Sequence, residues 1–142
     1  MSDPHVFKDA ALATQFILAG NAYFTLRSMA TGTRYTFRCR RPKDSNVHFV
    51  SVMYGSDNES HYAYVGMIKD GVLALTKKST LSPEDPRWKA IQWAWVRMYH
   101  GTMPTNLEVW HEGRCGCCGR RLTVPSSIEA GIGPECSKKL AA

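Results

Sequence analysis

The sequence predicts an α+β fold: an antiparallel β meander with flanking helices and a C-terminal module held by metal. Three observations lead there. Short runs of alternating apolar and polar residues recur between Ala22 and Leu75, with turn residues between them. Large apolar side chains return at helical spacing at Trp88, Ile91, Trp95 and Met98. Cys115, Cys117, Cys118 and Cys136 crowd into the last part of the chain.

The elements follow in order. Asp3 is a suitable N-cap, Pro4 fits a first turn and Gly20 can end a helix, so residues Asp3 to Leu18 read as the first helix. AYFTLRS and TRYTFRCR, joined by Met29 to Gly32, read as a β-hairpin. Alternation puts Phe24 and Leu26 on one face, with Tyr35, Phe37 and Cys39 grouped on the second strand. The opposite face holds Thr25, Arg27, Arg34, Thr36, Arg38 and Arg40. VHFVSVMYG and HYAYVGMI form a second hairpin around SDNES. VLAL follows the Asp70-Gly71 turn, giving a meander of about five strands. PRWKAIQWAWVRMYHG is a helix opened by Pro83 to Pro86 and ended by Gly101, with Trp93 off its apolar stripe and expected at the surface. LEVWHE is a last short strand. The expected organisation is an α+β body over 1–106 and a zinc-binding module over 107–142 packed on it.

A chain of 142 residues suits one domain and can bury a core without staples. Its cysteine count is odd, at 5, and the closest cysteines make a poor disulfide framework. The expectation is a reducing, cytoplasmic compartment with thiols free or on metal. MSDPHVFKDAALATQFILAG reads neither as a signal peptide nor as a membrane span.

Cys115-Gly116-Cys117-Cys118-Gly119 contains a CxxCG pattern. Two thiolates two residues apart can share one tetrahedral ion when the turn between them is tight. A glycine after the second ligand leaves amide donors free to face the sulfurs. Gly-Pro-Glu-Cys sets Cys136 at a helix N-terminus, where the dipole favours a thiolate. A closed structural site needs a fourth ligand. His111 is the first candidate, giving His111, Cys115, Cys118 and Cys136 around one structural Zn2+. Cys117 and the more distant His100 are the alternatives. Cys117 should point away from an ion held by its neighbours. A redox CxxC is the weaker reading, since the strand-helix context before it is missing.

The formal charge is +6. Between Gly20 and Val50 lie Arg27, Arg34, Arg38, Arg40, Arg41 and Lys43 against Asp44 alone, so the excess gathers on the first hairpin. Arginine forks on a strand suit phosphate oxygens. Tyr23, Tyr62 and Tyr64 could stack bases beside them. The nucleic-acid surface expected from this is Arg27, Arg34, Arg38 and Arg40 with Arg120 and Arg121, for DNA ahead of RNA; a solvated sheet face is the bland reading of the same charges. No Walker-type loop, HExxH or nucleophile elbow is present, so no catalytic constellation is recognisable. The rival reading is an inhibitor that binds and blocks a host protein, such as a defence or nucleic-acid-processing complex.

CGRRLTVPSSIEAGIGPEC, preceded by Cys115, resembles a pattern at the C-termini of small phage-encoded proteins of unknown function: CxxCGR, then PxSI, then GIGPxC. GNAYFTLRS, TGTRYTFR and YAYVGMI are similar to the body of such proteins. The resemblance implies a zinc-ribbon or treble-clef-like tail on a small β-rich body, in a phage protein working in the host cytoplasm. It brings no activity with it.

Overall fold

The computed structural model describes residues 5–54, 61–118, 121–122, 128 and 130–133. Among the described residues it is an α+β fold: six antiparallel strands in one sheet, with two helices.

The first helix is α1, Ala10–Ile17, shorter than the sequence reading. Asp9, not Asp3, is its N-cap, and its carboxylate accepts from the Ala11 and Leu12 amides at 2.7 and 3.3 Å. The residues before it run extended instead. The Phe7 amide donates to the Val109 carbonyl at 2.9 Å, and Val6 bridges to Trp110. A sheet edge that accepts hydrogen bonds outcompetes another turn of helix there.

The strands are β1 (Asn21–Ser28), β2 (Arg34–Arg40), β3 (Val47–Met53), β4 (Tyr62–Lys69), β5 (Val72–Leu75) and β6 (Leu107–His111). Their spatial order is β5-β4-β3-β2-β1-β6. The first five form the expected meander. The last strand returns to the far edge and pairs with β1, setting Phe24 opposite His111 and Thr25 opposite Trp110. A register shift between Val50 and Ser51 marks an irregularity where β3 meets β4.

The second helix, α2 (Pro86–Tyr99), opens at Pro86, within the stretch the sequence predicts, and is capped by Asp85. Ile91, Ala94, Trp95 and Met98 are its buried stripe. They join Ala10, Ala13, Phe16 and Ile17 of α1 and the inward residues of the sheet in one core. Those inward residues include Ala22, Phe24, Leu26, Phe37, Cys39, Val50, Val52, Ile68 and Val109. Polar ties fix the layers. Trp95 Nε1 donates to the Gly71 carbonyl at 2.9 Å, and Thr14 Oγ1 donates to the Met98 carbonyl at 3.1 Å. His48 Nε2 donates to the Leu18 carbonyl at 2.9 Å. Trp93, expected at the surface, is half-buried beneath Arg97, whose guanidinium lies 4.0 Å from its ring centroid.

Among the described residues, no helix is long and apolar enough to cross a membrane.

Candidate metal centre and basic sheet face

The chain leaving β6 turns back on itself over Cys115–Cys118. The Leu122 amide donates to the Gly113 carbonyl at 2.8 Å, and Arg114 and Arg121 form an isolated antiparallel bridge. The turn is sewn to the body at two points. The Gly116 amide donates to the Gly131 carbonyl at 2.9 Å, and the Gly116 carbonyl accepts from the Asn21 amide at 2.7 Å. Gly116 has to be glycine because an added Cβ would come within 2.5 Å of Phe16 Cδ2. Cys115, Leu122 and Ile132 are buried members of the main core.

The Cys115 sulfur faces backbone amides. Its Sγ accepts from the Cys117 amide at 3.4 Å and the Gly133 amide at 3.3 Å. Burial raises its pKa, but hydrogen bonds from the amides of Gly133, Cys118 and Cys117 and from the Cys118 side chain outweigh that and leave it lowered. Cys118 is therefore brought to Cys115, as the spacing predicts, and is itself exposed. Cys117 is half-buried and packs against the core. Cys39 is fully buried, and desolvation pushes its thiol up to about 12, which makes it inert packing.

His111 is buried between Phe7 and Phe16, with ring centroids 5.3 and 5.7 Å away. Its Nδ1 accepts from the Gly113 amide at 3.0 Å, and its Nε2 donates to the Ile128 carbonyl. Each ring nitrogen is thus engaged with backbone. To become a ligand, His111 has to release one of these bonds. His100 caps the end of α2, its Nδ1 donating to the Val96 carbonyl at 2.7 Å. Among the described residues, no group of three or more His, Cys, Asp or Glu side chains gathers to hold an ion; Cys136 lies outside the described residues. The described thiols of this turn are Cys115, of lowered pKa, and Cys118 beside it, two soft donors where a closed metal site needs four.

The second feature is the sheet face turned away from the core. It brings together Arg27 of β1 and Arg34, Arg38 and Arg40 of β2, as alternation predicts. Arg34 and Arg40 are exposed. Arg27 is ion-paired with Glu108 at 2.8 Å, and its Nε is buried with no hydrogen-bond partner. Arg38 lies over the Tyr62 ring at 4.7 Å, and Arg40 donates to the Tyr23 hydroxyl at 3.0 Å. Thr25 and Thr36 share a hydroxyl hydrogen bond of 2.8 Å between the arginines. Burial, with help from Glu112 and Tyr23, pushes the Tyr62 phenol up to about 12, so it stays a neutral donor. Of the other basic candidates, Arg121 is exposed beside the cysteine turn and Arg120 lies outside the described residues.

Two aromatics of this face were missed by the sequence reading. Phe49 stands opposite Arg40, 39% exposed, and Trp110 stands opposite Thr25. The period-two pattern of VHFVSVM and LEVWH carried the signal. It sets Phe49 with Ser51 and Met53, and Trp110 with Glu108, on the outward side.

Residues 107–141 match a family of unknown function, DUF6011. The match covers β6 and the cysteine-rich tail and leaves the rest of the sheet outside it. No curated protein and no solved structure matches the chain.

Proposed function

We propose that this is a small zinc-binding protein that binds nucleic acid, DNA ahead of RNA, across its basic hairpin. The observation that supports this best is the grouping of Arg34, Arg38 and Arg40 with Arg27 on one sheet face, against Glu108 and Glu112. Strands hold the guanidinium groups at regular spacing, which suits successive phosphates, and phosphate contacts bring affinity without sequence choice. The tail would be held by one structural Zn2+ on Cys115, Cys118 and Cys136. His111 is the fourth ligand of this reading, at the cost of its hydrogen bond to Gly113 or Ile128. The resemblance to small phage proteins makes the host cytoplasm the setting.

The test is anisotropy of labelled DNA at two salt concentrations. Micromolar or tighter binding that weakens with salt is expected. Reversing Arg34 and Arg38 to Glu should remove about two phosphate contacts and flatten the salt slope by about two. Absence of binding at low salt would sink the reading and turn attention to a host protein that fits the same basic face. For the metal, purified protein should contain close to one zinc per chain, and Cys115→Ser should lose it.

A further inference from the structure

The outward sheet face holds more than charge. From β6 across β1 and β2 to β3 it spans three strand spacings, about 14 Å. Trp110 stands at one side of that span and Phe49 at the other. Arg38 of β2 sets its guanidinium 4.7 Å from the ring centroid of Tyr62, on β4, and Tyr62 in turn meets Tyr23 edge-on at 5.9 Å. Phe49 is backed by Tyr64 at 6.2 Å. The arginines alternate with these rings: Arg34 toward the Trp110 side, Arg40 directly opposite Phe49. Beside Trp110 is a depression of about 190 Å³, lined by Thr25, Arg27, Arg34, Trp110 and His111.

This pattern does not suit a duplex, whose base faces are hidden in the stack. Phosphate grip alone needs no rings, whereas here Phe49, 39% exposed, stands directly opposite Arg40. Every unpaired base has an apolar π-face, and bases stack on aromatic side chains and on arginine planes alike. An open face four strands wide accommodates two or three bases.

We infer that the outward sheet face is a platform for single-stranded nucleic acid, on which Phe49, the Arg38–Tyr62 pair and Trp110 stack bases while Arg34 and Arg40 hold the phosphates between them. The depression beside Trp110, lined by Arg27 and Arg34, takes one phosphate or ribose edge. This rests on the nucleic-acid reading above and narrows it to one form of ligand.

The experiment uses the full-length zinc-loaded protein and three fluorescein-labelled probes: a mixed-sequence DNA strand, its duplex, and a strand of equal length with abasic sites throughout. All three carry the same phosphate chemistry. The single strand is expected to bind at least tenfold tighter than both others. Phe49→Leu and Trp110→Leu keep apolar bulk but remove the flat ring, and each should lower single-strand affinity about tenfold while leaving the thermal midpoint in place. Trp110 fluorescence should also be quenched by the single strand and much less by the abasic one. If the duplex or the abasic strand binds as tightly as the natural strand, and Arg34→Glu with Arg38→Glu abolishes that binding, the stacking platform is wrong and the phosphate grip stands. If none of the probes binds at low salt, both readings are overturned.

Discussion

The same six strands present two unlike faces. Inward, Phe24, Phe37, Leu26 and Val109 lie under α1 and α2 and are almost fully excluded from water. Outward, Arg34, Arg40 and Phe49 are exposed, and Arg38, Tyr62 and Trp110 are half-buried. The inward residues touch many neighbours and decide stability. Those outward have flat rings and guanidinium groups side by side and decide what the protein can hold. A period of two residues separates structure from candidate function in this sheet.

Breaking the inward face should cost most. Phe24→Ala removes a ring stacked against Phe37 at 5.7 Å in a fully buried layer, and should lower unfolding free energy by about 3–5 kcal/mol. Phe49→Ala on the outward face should cost about 1 kcal/mol or less. Denaturant titration of the two variants side by side measures the contrast, and equal losses would contradict it.

The join between sheet and tail comes next. Gly116→Ala drives a Cβ against Phe16 Cδ2 and the Phe16 carbonyl, and should destabilise by about 1–3 kcal/mol. The same variant should loosen the Cys115 turn, seen as faster zinc loss to a chelator.

A smaller effect follows from His48, which ties β3 to the end of α1 on the inward side. Desolvation holds its pKa below the usual 6.5, against the raising effect of its bond to Leu18 and with a lowering contribution from Arg41. The unfolded chain therefore binds the proton more readily than the folded one. Stability is full above pH 6.5 and falls as pH drops through the folded value, by under about 1 kcal/mol for a group this exposed. Thermal midpoints at successive pH values check it, and His48→Gln should flatten that part of the profile.

The smallest effect sharpens the outward face. Glu108→Gln removes the carboxylate that now pairs with Arg27, so single-strand affinity should rise a few-fold at low salt with little change in stability.

Much of this was legible in the sequence. Local alternation and turn residues located five strands of the meander. They also sorted Arg27, Arg34, Arg38 and Arg40 from Phe24, Leu26, Phe37 and Cys39, because a strand's side-chain period depends on nothing distant. Pro83 to Pro86 and the stripe through Ile91, Trp95 and Met98 defined α2 by the same local logic. The start of α1 was misread because Asp3 and Pro4 satisfy a helix opening as well as Asp9 does. Only the edge of β6, distant in sequence, offers residues 6 and 7 a competing set of hydrogen bonds.

The candidate sites divide along the same line. The sequence by itself determined which residue types lie together on each strand and that Cys115 and Cys118 share a turn, since both follow from short-range geometry. Tertiary structure alone decided that β6 closes on β1, bringing Trp110 beside Thr25 and Glu108 beside Arg27. It also decided that both helices cover one face and leave the arginine face open, and that His111 spends its nitrogens on Gly113 and Ile128. These outcomes depend on contacts between segments far apart in the chain, where the burial of shared apolar surface, not local propensity, selects the pairing.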